Sequence, residues 1–152
     1  MNYGKNKYII ERYSVGVEER LKKICTYKIE PRIELEMKDK KNAFNKYGMT
    51  NWLLYKSYGD DFEDFVSMIS IIAKNYTEQH FKKEVKGEFF VSELWGIVSK
   101  PNGLATPHND WPGLFTFVYH LELPENNPPL IFTDSDLEIQ PKEGELIFFP
   151  SW

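Results

Sequence analysis

From Glu88 onward the chain is a succession of short β-prone runs divided by Gly, Pro and Asn, and no other feature restricts its fold as much. Glu88–Val98 (EFFVSELWGIV) reads as a strand or a strand pair. Residues 99–113 (SKPNGLATPHNDWPG) form a turn-rich connection with Pro-Asn-Gly as its turn signal. Leu114–Leu123 (LFTFVYHLEL) is the strongest strand. Side chains alternate across an extended segment, so Phe115, Phe117, Tyr119 and Leu121 share one face, and Thr116, Val118 and His120 share the other. A loop over Pro124–Pro129 leads to short strands at Leu130–Thr133 and Leu137–Ile139. After a turn at Pro141–Gly144, Glu145–Phe149 (ELIFF) is the last strand. Short strands with turn residues between them indicate a β-sandwich or barrel.

The first half is mixed. Lys7–Val17 and Ile24–Met37 carry β-rich alternation, with Tyr27, Ile29, Ile33, Leu35 and Met37 at period two and Pro31 breaking the run. Lys38–Tyr47 is charged and reads as loop or short helix, and Asn51–Tyr58 is aromatic-rich. A helix follows, with Asp60 or Asp61 as its cap. Phe62, Phe65, Ile69, Ile72, Tyr76 and Phe81 form its apolar stripe, with Met68 and Ala73 beside it. Glu63 and Asp64 near its start and Lys82 and Lys83 near its end suit the helix dipole, and Gly87 marks the end region. The expectation is one domain of α+β class, mainly β. Residues 1–87 form a mixed support region with the helix packed on a sheet, and residues 88–152 form the β core.

Composition excludes several function classes. With 152 residues, 16% of them aromatic, the chain can build a core without disulfides or structural metal. The net charge of −4 argues against a general nucleic-acid or anionic-membrane partner. Cys25 is the sole cysteine, so neither an internal disulfide nor a Cys/His zinc pattern exists, and it reads as a small buried hydrophobe. The N-terminal MNYGKNKYIIERY has no apolar run of signal-peptide type, and no stretch approaches the ~20 apolar residues of a membrane span. A cytoplasmic protein is expected. Lys outnumbers Arg 16 to 3, the codon bias of an AT-rich genome such as a marine microbe or phage.

Three histidines are candidates for chemistry: His80, His108 and His120. His108 and Asp110 stand two apart, so an extended backbone presents an imidazole and a carboxylate to one side. Two histidines and one carboxylate on one octahedral face leave open positions at a non-haem Fe(II) centre. On its own His-x-Asp is weak, because a turn histidine beside a capping Asp gives the same pattern. His120 points away from Phe117 and Tyr119, which places it outside a barrel filled by the aromatic face. His80 near the helix end reads as a surface residue. Asp134 and Asp136 read as a turn.

The segment Trp95–Trp152 resembles the 2-oxoglutarate/Fe(II) oxygenase superfamily, in particular its bacterial and phage branch with prolyl-hydroxylase-like cores. The resemblance rests on Thr-Pro-His-Asn-Asp-Trp-Pro-Gly, the strand after it, Pro129–Phe132, and Gly-Glu-Leu-Ile-Phe-Phe-Pro-Ser-Trp at 144–152. It implies a double-stranded β-helix, of jelly-roll or cupin-like type, that binds Fe(II) and 2-oxoglutarate and hydroxylates a second substrate. Carried over residue by residue, it implies His108 and Asp110 as metal ligands and Trp95 and Tyr119 near the co-substrate, although each of these two also reads as a core aromatic; Asn109 and Trp111 flank the ligands, in position to shape the entrance. The family pattern places a distal histidine, and then a basic residue for the far carboxylate of 2-oxoglutarate, after the position of Trp152. The expectation is therefore a truncated frame lacking its final core strands, binding metal weakly and inactive alone, with exposed strand edges open to a second copy. A non-catalytic jelly-roll module, binding or structural and of phage origin, is the competing reading, and a cupin-like fold with other chemistry is a third. Fold alone does not choose among them.

Overall fold

The computed structural model describes residues 9–16, 18–31, 47–49, 54–82, 84–99 and 105–151. Strand β1 (Glu11–Ser14) leads into helix α1 (Glu18–Ile24), which continues as a π-helical stretch over Cys25–Ile29. Strand β2 (Tyr47–Met49), the short helix α2 (Leu54–Ser57) and the long helix α3 (Gly59–Phe81) follow. Five strands complete the order: β3 (Ile97–Ser99), β4 (Phe115–His120), β5 (Leu130–Phe132), β6 (Leu137–Ile139) and β7 (Glu145–Pro150). The architecture is mixed α/β, and all strand pairing among the described residues is antiparallel, in sheets ordered β1–β7–β4, β2–β3 and β5–β6. Two compact units result, one from residues 1–22 with 105–152 and the other from residues 23–104.

In the first unit β7 is the central strand, with β1 on one edge and β4 on the other. After Glu145 its sequence LIFFP is a continuous apolar run rather than an alternating one, as a strand covered on both faces requires. Leu146, Ile147 and Phe148 are at most 1% exposed. Register places Phe117 opposite Phe148, Tyr119 opposite Leu146 and Thr116 opposite Phe149. On the Phe115–Phe117–Tyr119 face, the Phe115 and Phe148 rings meet at 5.2 Å. On the opposite face, the Phe132 ring from the β5–β6 hairpin meets Phe149 edge-on at 4.9 Å. Aromatic contact on both faces explains the burial of the whole run.

Turn chemistry sets the register on either side. The four residues Thr133–Asp136 close the β5–β6 hairpin, with Asp136 at φ 52°. An aspartate tolerates that left-handed conformation, and the Thr-Asp-Ser-Asp turn expected from sequence is present. Gly144 enters β7 at φ 75° and donates its N–H to the His120 carbonyl at 2.7 Å. A glycine accepts that φ without steric cost. At this end of the sheet Glu145, a charged residue only 8% exposed, accepts a two-pronged bond from Arg12 of β1 at 2.6 and 2.7 Å. Paired guanidinium and carboxylate are what makes such burial tolerable.

In the second unit α3 buries Phe62, Phe65, Ile69, Ile72, Ala73 and Tyr76, spaced three and four apart as one helix face demands. The expected stripe is therefore present, except that Phe81 at its end is 45% exposed. The helix begins one residue before the expected cap. Tyr58 occupies the cap position without a side-chain capping bond, and its carbonyl accepts from Asp61 N at 2.9 Å. It ends at Lys82 in a left-handed conformation rather than near Gly87. His80 is half-buried against the Tyr76 ring at 4.6 Å, so it belongs to the packed side of the helix and not to the open surface expected for it. Among the described residues no helix is long and apolar enough to cross a membrane.

Two expected strands are absent in the form anticipated. The alternation read at Ile24–Met37 is helical through Pro31, while Ile33, Leu35 and Met37 lie outside the described residues. The physical reason is visible in burial: Leu21, Ile24 and Ile29 are buried at helical spacing, the last five residues on as a π turn allows, and Tyr27 is 78% exposed. Glu88–Val98 is mostly irregular. Only its end joins β3, and Leu94 accepts a backbone bond from Leu54 N at 2.9 Å. Phe90 is 81% exposed, so the apolar letters of that segment do not mark a buried strand.

Candidate metal centre

The site begins with the turn that precedes β4. Gly113 N donates to Asp110 O at 2.8 Å and closes a turn through Trp111 and Pro112, which are joined by a cis peptide. Asn109 Oδ1 accepts from Trp111 N at 3.4 Å, the local bonding that makes Asn a turn residue. A side chain at Gly113 would put its Cβ 2.9 Å from Asp110 O and 3.3 Å from Ser151 Oγ, so only glycine fits where β4 begins. Ser151 N, one residue beyond β7, donates to Leu114 O at 3.1 Å and ties the two strand ends together.

This turn brings His108 and Asp110 together. His108 Nε2 lies 3.8 Å from Asp110 Oδ1. His108 Nδ1 lies 2.8 Å from Thr106 O. A carbonyl only accepts, so Nδ1 carries the proton of that bond, and in the neutral ring Nε2 keeps its lone pair. A metal-binding imidazole is oriented in this way by a carbonyl on its other nitrogen. On the Asp110 side, Oδ2 accepts from Thr116 Oγ1 at 2.8 Å, which leaves Oδ1 as the oxygen beside the imidazole.

The fit to a divalent cation can be judged from those atoms. Donors about 2.1 Å from one ion at right angles lie about 3 Å apart, so the pair must close by about 0.8 Å. An imidazole nitrogen with a carboxylate oxygen is a donor set that first-row divalent metals accept. The His108 side chain is 61% exposed and that of Asp110 is 27% exposed, so an ion reaches them from solvent. Among the described residues no group of three His, Cys, Asp or Glu side chains gathers around one point. The two residues fit two coordination positions.

The other candidates lie elsewhere. Tyr119 stands on the β4 face opposite Thr116, and its hydroxyl oxygen is buried on that side of the sheet. The structure therefore does not bring Tyr119 to the His108–Asp110 pair. Trp95 is half-buried and belongs to the 23–104 unit. His120 shares the Thr116 face, as the strand alternation predicts. It lies four residues along the strand, about 13 Å from Thr116, and so is not a third ligand to this pair. Its Nδ1 is buried without a hydrogen-bond partner, and burial lowers its pKa, opposed by the backbone and charge of Glu145 and reinforced by Arg12. Cys25 in the other unit has its thiol pushed up to about 11, mainly by burial, which suits an inert packed side chain.

Sequence reasoning missed Thr116 and Ser151. Thr116 Oγ1 contacts both Asp110 Oδ2 and Ser151 Oγ, each at 2.8 Å. The available signal was the strand alternation itself, which sets Thr116 apart from the aromatic face six residues after Asp110. Trp111, next in the chain to Asp110, is 79% exposed.

Comparison with protein-family models, with curated proteins and with solved structures finds no match for this chain.

Proposed function

We propose that His108 and Asp110 are two protein ligands of a mononuclear divalent-metal centre, of the kind used by Fe(II)- and 2-oxoglutarate-dependent hydroxylases built on a jelly-roll core. The observation that carries this reading is the placement of the two donor atoms. His108 Nε2 and Asp110 Oδ1 face each other at 3.8 Å, while Nδ1 and Oδ2 are each held from behind at 2.8 Å. Such outer bonds are what a metal site needs and what a solvent-facing turn does not require. Iron with bound 2-oxoglutarate would supply the oxidising chemistry. The protein's own part is to hold and orient: the Thr106 carbonyl selects the imidazole tautomer, and Thr116 fixes the carboxylate. Exposed Trp111 flanks the opening through which a second substrate would come.

Cobalt(II) titration of the chain and of His108→Ala and Asp110→Ala tests this reading. The expected result is measurable binding that each substitution removes. Binding that survives His108→Ala unchanged overturns it. The absence of a third ligand among the described residues favours a second reading, a non-catalytic jelly-roll module. Succinate release from 2-oxoglutarate with Fe(II), lost in His108→Ala, separates the two in favour of the enzyme.

A further inference from the structure

We propose that Thr116 and Ser151 are positioning residues that hold Asp110 as a single-oxygen ligand, an inference that rests on the metal reading of His108 and Asp110. The hydrogen inventory gives the direction of the chain. An ionised carboxylate only accepts, so the one proton on Thr116 Oγ1 goes to Asp110 Oδ2 at 2.8 Å. The 2.8 Å contact between Thr116 Oγ1 and Ser151 Oγ must then be donated by Ser151. Ser151 therefore donates to Thr116, and Thr116 to Asp110. Successive bonds of this kind polarise one another.

Three features make the chain a built one. Ser151 is only 6% exposed, so its hydroxyl does not exchange partners freely with water. Its backbone N–H is bonded to Leu114 O at 3.1 Å, which fixes it relative to the start of β4. Gly113 leaves the space that the Ser151 hydroxyl and the Asp110 carbonyl occupy. The consequence for the carboxylate is rotational. With Oδ2 held by Thr116, Asp110 cannot turn both oxygens toward an ion beside His108 Nε2. Oδ1 alone is presented.

The test uses the whole chain and cobalt(II), whose visible absorption reports the number and arrangement of donors. Thr116→Val keeps the shape of the side chain and removes the donor. It is expected to weaken cobalt binding about 10- to 100-fold and to change the absorption spectrum. Thr116→Ser restores the donor and is expected to restore both affinity and spectrum, which a purely structural role for the Thr116 methyl would not do. Ser151→Ala should weaken binding less than Thr116→Val. If Thr116→Val loses its fold, the double variant Thr116→Val/Ser151→Ala leaves no unpaired buried hydroxyl and serves in its place. Thr116→Val with wild-type affinity and spectrum, while His108→Ala binds nothing, overturns the positioning role and leaves the metal reading standing. Wild-type binding that persists in His108→Ala overturns the metal reading instead.

Discussion

Gly113 marks the point where a missing side chain decides the local geometry. Its Cβ position is 2.9 Å from a backbone carbonyl, and backbone cannot swing aside as a flexible side chain can. Gly113→Ala is therefore expected to shift Asp110 and Ser151 together, lowering both the melting temperature and cobalt affinity. Thermal denaturation and titration of the same variant check this. His120 is the second residue with a measurable signature. Burial lowers its pKa from 6.5, so the unfolded chain binds more protons than the folded one between that lowered value and 6.5. The resulting stability is present above pH 6.5 and is lost as pH falls through the lowered value. The wild type should thus lose more melting temperature between about pH 7.5 and 5.5 than His120→Gln does. Equal losses would show that His120 does not titrate with folding. At this scale the sequence marked His108 and Asp110 but not the hydroxyls behind them. The His-x-Asp spacing is local, whereas the contact of Thr116 with Ser151 spans 35 positions.

At the level of elements, β7 carries the first unit because both faces of the sheet meet on it. Phe148 is 1% exposed and packs against Phe115. Phe148→Ala should cost about 3–5 kcal/mol, read from urea denaturation. The Arg12–Glu145 pair joins β1 to β7 and should cost less to break. Arg12 keeps 40% of its side chain in solvent, which screens the loss, so Arg12→Gln is expected to cost about 2 kcal/mol at neutral pH. Arg12 also holds the Glu145 carboxyl below its ordinary 4.5, and stability from a depressed carboxyl is lost as pH falls through the folded value. The gap between wild type and Arg12→Gln should therefore narrow below pH 4.5. Helix α3 was legible because its apolar residues from Phe62 to Tyr76 repeat at helical spacing. The Cys25–Ile29 stretch was not, since Tyr27 and Ile29 fit period two equally well and only the burial of Leu21, Ile24 and Ile29 selects the helix.

For the whole molecule, a cation bound only by the folded chain raises stability by mass action. At a cobalt concentration ten times its Kd the gain is about 1.4 kcal/mol, a rise of about 4 °C in melting temperature for a chain of this size. His108→Ala should abolish that rise, and calorimetry with and without cobalt checks it. Local patterns in the chain were enough to establish the β character of residues 114–150, the long helix, the Thr133–Asp136 turn and the candidacy of His108 with Asp110. Each depends on neighbours within one strand, one helix turn or one reverse turn, where period and turn chemistry act directly. Tertiary structure alone decided that β1 pairs with β7, so that residues 1–22 join those after 104 in one unit. It also decided that the Thr116 face, not the Tyr119 face, is the one that meets Asp110. Alternation divides a strand into two faces but carries no label for either. The label comes from what packs on each side, and on β4 that is Phe148 against one face and Asp110 with Ser151 against the other.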